Sequence, residues 1–298
     1  MKQLAIIGST ASGKSDFALT LAQEMNALIL SIDSLSIYKT IDIASAKPSP
    51  KERATIEHFG IDVLLPHETA SVFTFIDEYH RIIQTAAEHE KNVIIVGGSS
   101  FYLKSMLDGL SYLPPITQET KTIASNMLHD VEKSYHFLAA VDPVTMTKIA
   151  PTDPYRIEKM LHLYLQTSIP PSQWFATHPP KPIITHCPIL ALTMERSLLR
   201  ERIALRTTKM IASGLIDEVA QLERLYGRSP NSMKAIGMIE TLDFLDGKIS
   251  LDHLVTLIST HTAQLAKRQN TFNTHQFSAA HHGSVEGLYD IGKALLTF

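Results

Sequence analysis

Cysteine is almost missing from this chain. Of its 298 residues only Cys187 carries a thiol, so no disulfide framework can form within it, and that usage fits a reducing compartment. Charge of one sign is missing too. Lys and Arg number 27 against 30 Asp and Glu, a formal net charge of -3. A globally basic footprint is thereby excluded, and any meeting with nucleic acid must rely on local positive charge. No uninterrupted apolar run is long enough to span a membrane. The opening MKQLAIIG breaks into glycine too soon for a signal peptide's apolar core. A soluble, cytoplasmic protein is expected. Internal repeats, low-complexity segments and an oligomerisation stripe are also missing, so a monomer is expected. The 14 histidines show no pair at ligand spacing, and adjacent His281 and His282 would point apart on a regular element, so no zinc site is expected. Cys187, before a proline, reads as a buried small residue rather than a nucleophile.

A sizeable core is affordable, since 44% of the residues are hydrophobic. QLAIIG, ALILSI, DVLLP and NVIIVGG are short runs that are apolar throughout, as strands covered on both faces are. Between them run amphipathic patterns such as Phe75, Tyr79, Ile82, Ile83 and Ala86. Strands alternating with helices predict an α/β fold with a parallel sheet. After Leu107 the texture changes. DGLSYLPPI reads as a linker, and a nearly all-helical stretch follows, with helix starts at Asp142-Pro143 and Asp153-Pro154. A strand candidate returns at PILALTM. The expected organisation is a sheet core from residues 1–113 and 183–298, with a helical insertion over 114–182. Trp174 reads as a packing residue.

The segment GSTASGKS, Gly8 to Ser15, fits the phosphate-binding pattern G-x-x-x-x-G-K-S. A strand enters it and an amphipathic helix with Phe17, Leu21, Ala22 and Met25 leaves it. Its glycines let successive N–H groups point inward. The helix N-terminus adds positive potential, Lys14 adds a full charge, and the Ser15 hydroxyl can hold Mg²⁺. The pattern specifies a diphosphate or triphosphate, not ATP. A nucleotide hydrolase also needs a carboxylate at the end of a core strand. The fourth strand ends in GGSSF and has none, whereas the second supplies Asp33. That carboxylate could bind Mg²⁺, serve as a general base, or cap a turn.

GSTASGKS, DSLSIYKTIDIASAKP, GGSSFYLK, DPYRIEKML and LAKRQNTF occur in this order and at familiar spacing across nearly the whole chain. Together they resemble the tRNA dimethylallyltransferases. The resemblance implies a P-loop kinase-like parallel sheet flanked by helices, with an inserted all-helical domain contacting the tRNA anticodon stem-loop. It implies transfer of a dimethylallyl group from dimethylallyl diphosphate to the exocyclic amine of the adenosine 3′-adjacent to the anticodon, in tRNAs reading U-starting codons. Mg²⁺ is the implied cofactor. Gly8, Thr10, Ala11, Ser12, Gly13, Lys14, Ser15 and Arg206 would bind the diphosphate, with Arg206 chosen over Arg202. Asp33, Ser99 and Lys14 would be catalytic, Asp33 taking the amine proton. Asp33, Ser34, Leu35, Ser36 and Ser99 would meet the adenosine. Lys121, Tyr155, Arg156 and Lys159, and a patch of Lys267, Arg268 and Gln269, would meet the rest of the tRNA.

Some residues depart from the family pattern. Ser9, Ser36, Thr40, Ala44, Lys121, Met238, Ile239, Phe272 and Thr274 stand where proline, glutamine, two glycines, arginine, an aromatic–basic pair, tryptophan and arginine are usual. Most lie on the RNA side. Two other readings use the same residues: an ATP-dependent small-molecule or nucleotide kinase on the same loop, and a non-catalytic RNA-binding module.

Overall fold

A computed structural model describes residues 1–297. Its elements run β1 (Gln3–Gly8), α1 (Lys14–Glu24), β2 (Ala27–Ser31), α2 (Pro50–Thr55), β3 (His58–Phe59), α3 (Val72–Glu88), β4 (Asn92–Gly97) and α4 (Ser100–Asp108). There follow α5 (Gln118–Met127), α6 (Val131–Val141), α7 (Pro143–Met146), α8 (Pro154–Thr167) and α9 (Pro171–Thr177). The chain closes with β5 (Ile189–Leu192), α10 (Arg196–Ala212), α11 (Leu215–Tyr226), a short 3-10 turn (Asn231–Lys234), α12 (Met238–Leu245), α13 (Leu251–Gln276), β6 (His281–Gly283) and α14 (Val285–Leu296). The chain divides into two compact units, one of residues 1–105 with 184–298, the other of residues 106–183.

The first unit is built on one sheet in the order β3-β2-β4-β1-β5-β6, and every pairing in it is parallel. The apolar runs form its centre because a parallel sheet is covered on both faces. On one face Leu4, Ile6, Ile29, Ile94, Val96, Leu190 and Leu192 pack with Phe17, Ala18 and Leu21 of α1 and with Leu288 and Leu296 of α14. Residues one position along, such as Leu28, Leu30 and Ile95, point the other way and are equally buried. The parallel α/β fold expected from the alternation of runs is found.

Two strands differ from expectation. DVLLP is not a strand of the sheet. Asp62 adopts φ 55, which turns the chain, and the N–H groups of Val63 and Leu64 both donate to the Ile37 carbonyl. The pairing beside β2 falls instead to His58–Phe59. At the other edge β6 is made of His281, His282 and Gly283 beside β5, polar residues whose strand state comes from backbone pairing alone.

The second unit is helical, with a small core of Ala124, Leu138, Met146, Ile149, Ile157 and Leu161. Its helices start on side-chain caps. Asp130, Asp142 and Asp153 accept from the N–H groups of Lys133 at 2.9 Å, Thr145 at 3.1 Å and Arg156 at 3.0 Å. Pro143 and Pro154 follow two of them at the first helical position, where no N–H is needed. Trp174 packs, stacking on His178 with ring centroids 4.0 Å apart and donating from Nε1 to the Tyr112 carbonyl at 2.8 Å. Among the described residues no helix is long and apolar enough to cross a membrane.

Thr40, which stands where the family pattern has glycine, holds φ 63. A β-branched residue is strained there by about 1–2 kcal/mol, against a cost of about 0.4–1 kcal/mol for glycine's extra freedom in the unfolded chain. Thr40→Gly is therefore expected to raise stability by about 0.5–1 kcal/mol in urea unfolding. A lower midpoint would show that the turn is not strained.

Candidate active site

The loop between β1 and α1 wraps around the helix N-terminus. Gly13 caps α1 with φ 90 and ψ 9, a conformation that an L side chain resists. Ala11 is also left-handed, at φ 64. The Ser12 hydroxyl is buried without a partner. Lys14 sits at the start of α1 and donates from Nζ to the Ser9 carbonyl at 3.2 Å. Ser15 follows it, exposed at the mouth of the loop.

Three other segments converge on this loop. From α10, Arg206 donates to Thr10 Oγ1 at 3.1 Å, while the Arg202 guanidinium lies beside Gly13. From α13, Gln269 accepts from the Thr10 N–H at 2.8 Å and donates to the Gly98 carbonyl at 3.0 Å. Its amide thus ties the phosphate loop to the end of β4. A Cβ at Gly98 would lie 2.6 Å from Gln269 Nε2, so a side chain there would push this amide aside. From β2, Asp33 Oδ1 accepts from the N–H groups of Leu35 at 2.9 Å and Ser36 at 3.2 Å. The Ser34 N–H donates to Ser99 Oγ at 3.2 Å, which draws the ends of β2 and β4 together. Asp33 is therefore a turn cap through one oxygen and remains available through the other.

These residues line two adjoining cavities. One of about 70 Å³ is bounded by Thr10, Lys14, Ser15, Asp33, Ser36 and Arg206, among others. The other, of about 310 Å³, shares Thr10, Lys14, Asp33 and Arg206 and adds Ser34, Leu35 and Ser99. Apolar side chains the sequence did not single out for this role, Met210, Ile236, Ile258 and Leu265, complete its wall. Burial pushes the Lys14 ammonium down to about 8, with Asp33 opposing and Arg206 reinforcing the shift. Burial lowers Arg206 too, again opposed by Asp33. Two desolvated cations and one carboxylate share a pocket that an anion would relieve.

Lys47 is a further residue that sequence reasoning missed. Its side chain is only 2% exposed, and Nζ donates to the Tyr38 carbonyl at 2.5 Å, Asp42 Oδ1 at 3.0 Å and Asp62 Oδ1 at 2.7 Å. Burial works to raise the Asp62 carboxyl, but bonds from Lys47 and Arg53 outweigh it and hold it below the usual range. A lysine buried for structure carries no local signal beyond the motif it stands in.

The remaining candidate residues lie elsewhere. Gln269 does not share a patch with its neighbours. Lys267 and Arg268 are exposed on α13, and Lys267 lines a separate groove of about 590 Å³ between α10 and α13, with Arg196 and Arg200 on its rim. In the helical unit, Arg156 pairs with its own cap Asp153 at 3.4 Å, and Lys159 Nζ lies 5.2 Å from the centre of the Tyr155 ring. Tyr155 is 68% exposed. Burial lowers His162, with Glu158 opposing and Lys159 and Lys121 adding to the shift, which places both lysines near one ring. Burial pushes the Cys187 thiol up to about 12, so it is inert as a nucleophile.

Comparison with known proteins agrees on one family. The family described as IPP transferase matches residues 36–276. The chain is 51% identical over 291 residues to the tRNA dimethylallyltransferase of Sulfurimonas denitrificans, covering 98% of each chain. It is 41% identical over 288 residues to that of Helicobacter pylori, covering 96% of this chain and 91% of the other. Among solved structures it is similar to the tRNA isopentenylpyrophosphate transferase of Bacillus halodurans, with a TM-score of 0.71 and 26% identity over 99% of this chain and 96% of that one. A eukaryotic dimethylallyltransferase acting on tRNA superposes with a TM-score of 0.83 at 26% identity, over 95% of this chain and 73% of that one.

Proposed function

The chain belongs to the tRNA dimethylallyltransferase family, and from that premise we propose that it moves the dimethylallyl group of dimethylallyl diphosphate onto the exocyclic amine of the adenosine 3′-adjacent to the anticodon, in tRNAs reading U-starting codons. The observation that carries this reading is the sharing of Lys14, Arg206, Thr10 and Asp33 by two adjoining cavities. One side is built for an anionic leaving group. The other ends on a carboxylate and a hydroxyl suited to an amine.

In the reaction the allylic carbon–oxygen bond breaks, a carbon–nitrogen bond forms, diphosphate leaves and the amine loses a proton. The phosphate loop, Lys14 and Arg206 bind the diphosphate and stabilise the charge that grows on it. The adenine amine is a poor nucleophile because its lone pair is delocalised into the ring. Asp33 accepts its proton through the oxygen that does not cap the turn, and Ser99 orients the amine. An adenine stacked in its loop must be flipped out to reach this depth. Mg²⁺ fits the site. The Ser15 hydroxyl, a hard oxygen donor on the small cavity, would hold it. Among the described residues no cluster of three His, Cys, Asp or Glu could hold a metal alone, so the ion would share the diphosphate's own oxygens. When bound it neutralises charge on the leaving group.

The helical unit, through Lys121, Tyr155, Arg156 and Lys159, contacts the anticodon stem-loop. Lys267 and Arg268 take further phosphates, and the groove holding Lys267, Arg196 and Arg200 extends that track, since no acidic residue lines it. Replacing Arg196 and Arg200 together by glutamine is expected to lower the slope of log affinity against log salt by about 1–2. An unchanged slope in tRNA-binding titrations would remove the groove from the interface. The enzyme works as a cytoplasmic monomer.

The reading is tested by following diphosphate release from dimethylallyl diphosphate. Release should require unmodified tRNA and proceed without ATP. Phosphate transfer from ATP to a metabolite, with no release from the prenyl donor, would favour the kinase reading instead.

A further inference from the structure

Glu218 lies in the first turn of α11 and has no place in either cavity wall. Its carboxylate nevertheless accepts three backbone hydrogen bonds. Oε2 accepts from the N–H groups of Asp42 at 2.9 Å and Ile43 at 2.8 Å, and Oε1 accepts from that of Ala44 at 2.9 Å. Three successive N–H groups turned one way form a concavity that selects an anion. Here the protein fills it with its own carboxylate, from a helix 174 residues further along the chain.

The loop so held is part of the site. Ala44 and Ser45 line the larger cavity together with Asp33 and Ser99, and Ser45 and Ala46 line the smaller one. Its other side is closed by Lys47 on Tyr38, Asp42 and Asp62, and by the Ser45 hydroxyl donating to the Ile41 carbonyl at 2.5 Å. Those contacts are internal to the loop and its immediate neighbours. Glu218 ties the loop to α11, next to α10, the helix that delivers Arg206.

We propose that Glu218 is a positioning residue for the acceptor side of the site: by clamping the Asp42–Ala44 backbone it sets the wall against which the adenine seats, without touching a reacting atom. The inference rests on the prenyl-transfer reading. It separates acceptor from donor, because none of the phosphate-loop contacts of Lys14, Thr10 or Gln269 passes through the clamped segment.

Glutamine is the informative substitution. It keeps the length of the side chain and one acceptor oxygen, but sets an NH₂ donor against an N–H donor. Glu218→Gln is expected to raise the KM for tRNA by about 10- to 100-fold, the scale of a small misplacement near a site. The KM for dimethylallyl diphosphate should stay at its wild-type value, and kcat should change less than the tRNA KM. Hydrogen exchange at the Ile43 and Ala44 amides should quicken while the amides of β1 and β4 stay protected. Glu218→Ala should exceed Glu218→Gln in each readout. A tRNA KM unchanged in Glu218→Gln would overturn the proposal, and so would equal rises in the two KM values, which mark general damage. Wild type is assayed first. If it transfers no prenyl group, the functional reading itself has failed, which is a different result from an active wild type with an indifferent Glu218.

Discussion

Asp33→Ala is expected to lower kcat for prenyl transfer by about 10²–10⁴-fold, the range that general base assistance supplies. The donor should still bind, because the Lys14, Thr10 and Arg206 contacts do not depend on that side chain. The loss has two sources. Oδ1 organises the turn through the Leu35 and Ser36 N–H groups, and the remaining oxygen is the proposed proton acceptor. Asp33→Asn separates them only in part, since an amide oxygen can still cap the turn but cannot take the proton. A kcat for Asn close to that for Ala would assign the loss to the proton. A kcat close to wild type would assign it to the turn. The measurement is steady-state transfer at saturating donor and tRNA.

Lys14→Ala should be the more damaging for the donor, with kcat/KM for dimethylallyl diphosphate falling by about 10³-fold. That is the upper end of what one preorganised donor to a developing oxyanion contributes, and Lys14 carries a full charge in a half-buried position. The same residue imposes a pH dependence. In the free enzyme its ammonium is pushed down to about 8 by burial, Asp33 opposing and Arg206 reinforcing. Below that pH the cation is present and the diphosphate is held. As pH rises through it, the free enzyme loses the charge, so kcat/KM for the donor should fall above about pH 8. Bound diphosphate favours the charged form, so kcat at saturating donor should hold to higher pH. A kcat/KM profile flat through pH 9 would show that Lys14 keeps its proton without the donor.

The parts of this site that were legible are those whose chemistry is local. Gly8, Gly13, Lys14 and Ser15 are recognisable because a phosphate cradle needs a left-handed glycine at φ 90 and a cation at the helix start. Asp33 was legible as a carboxylate at a strand's end, although its role stayed open between base, metal ligand and cap. The structure shows the cap and leaves the second oxygen free for the other two. What was not legible depends on distant partners. Gln269 stands beside Lys267 and Arg268 in sequence, but helical geometry turns its amide to Thr10 and Gly98. Lys47 and Glu218 were not singled out from the sequence, and only the fold shows one buried against two aspartates and the other spanning a loop. In the fold itself, the long apolar strands were readable. The two edge strands were not, because His58–Phe59 and His281–Gly283 are too short to show a period and are decided by pairing.

The central claim is that the phosphate loop holds a prenyl donor whose carbon goes to an adenosine of tRNA. The most direct test incubates the protein with dimethylallyl diphosphate labelled in its prenyl group, Mg²⁺ and unmodified tRNA, then digests the tRNA and separates the nucleosides. The account predicts label on a single adenosine derivative from the position 3′ to the anticodon, lost in both Lys14→Ala and Asp33→Ala. Folded wild-type protein that leaves the tRNA unlabelled would contradict it.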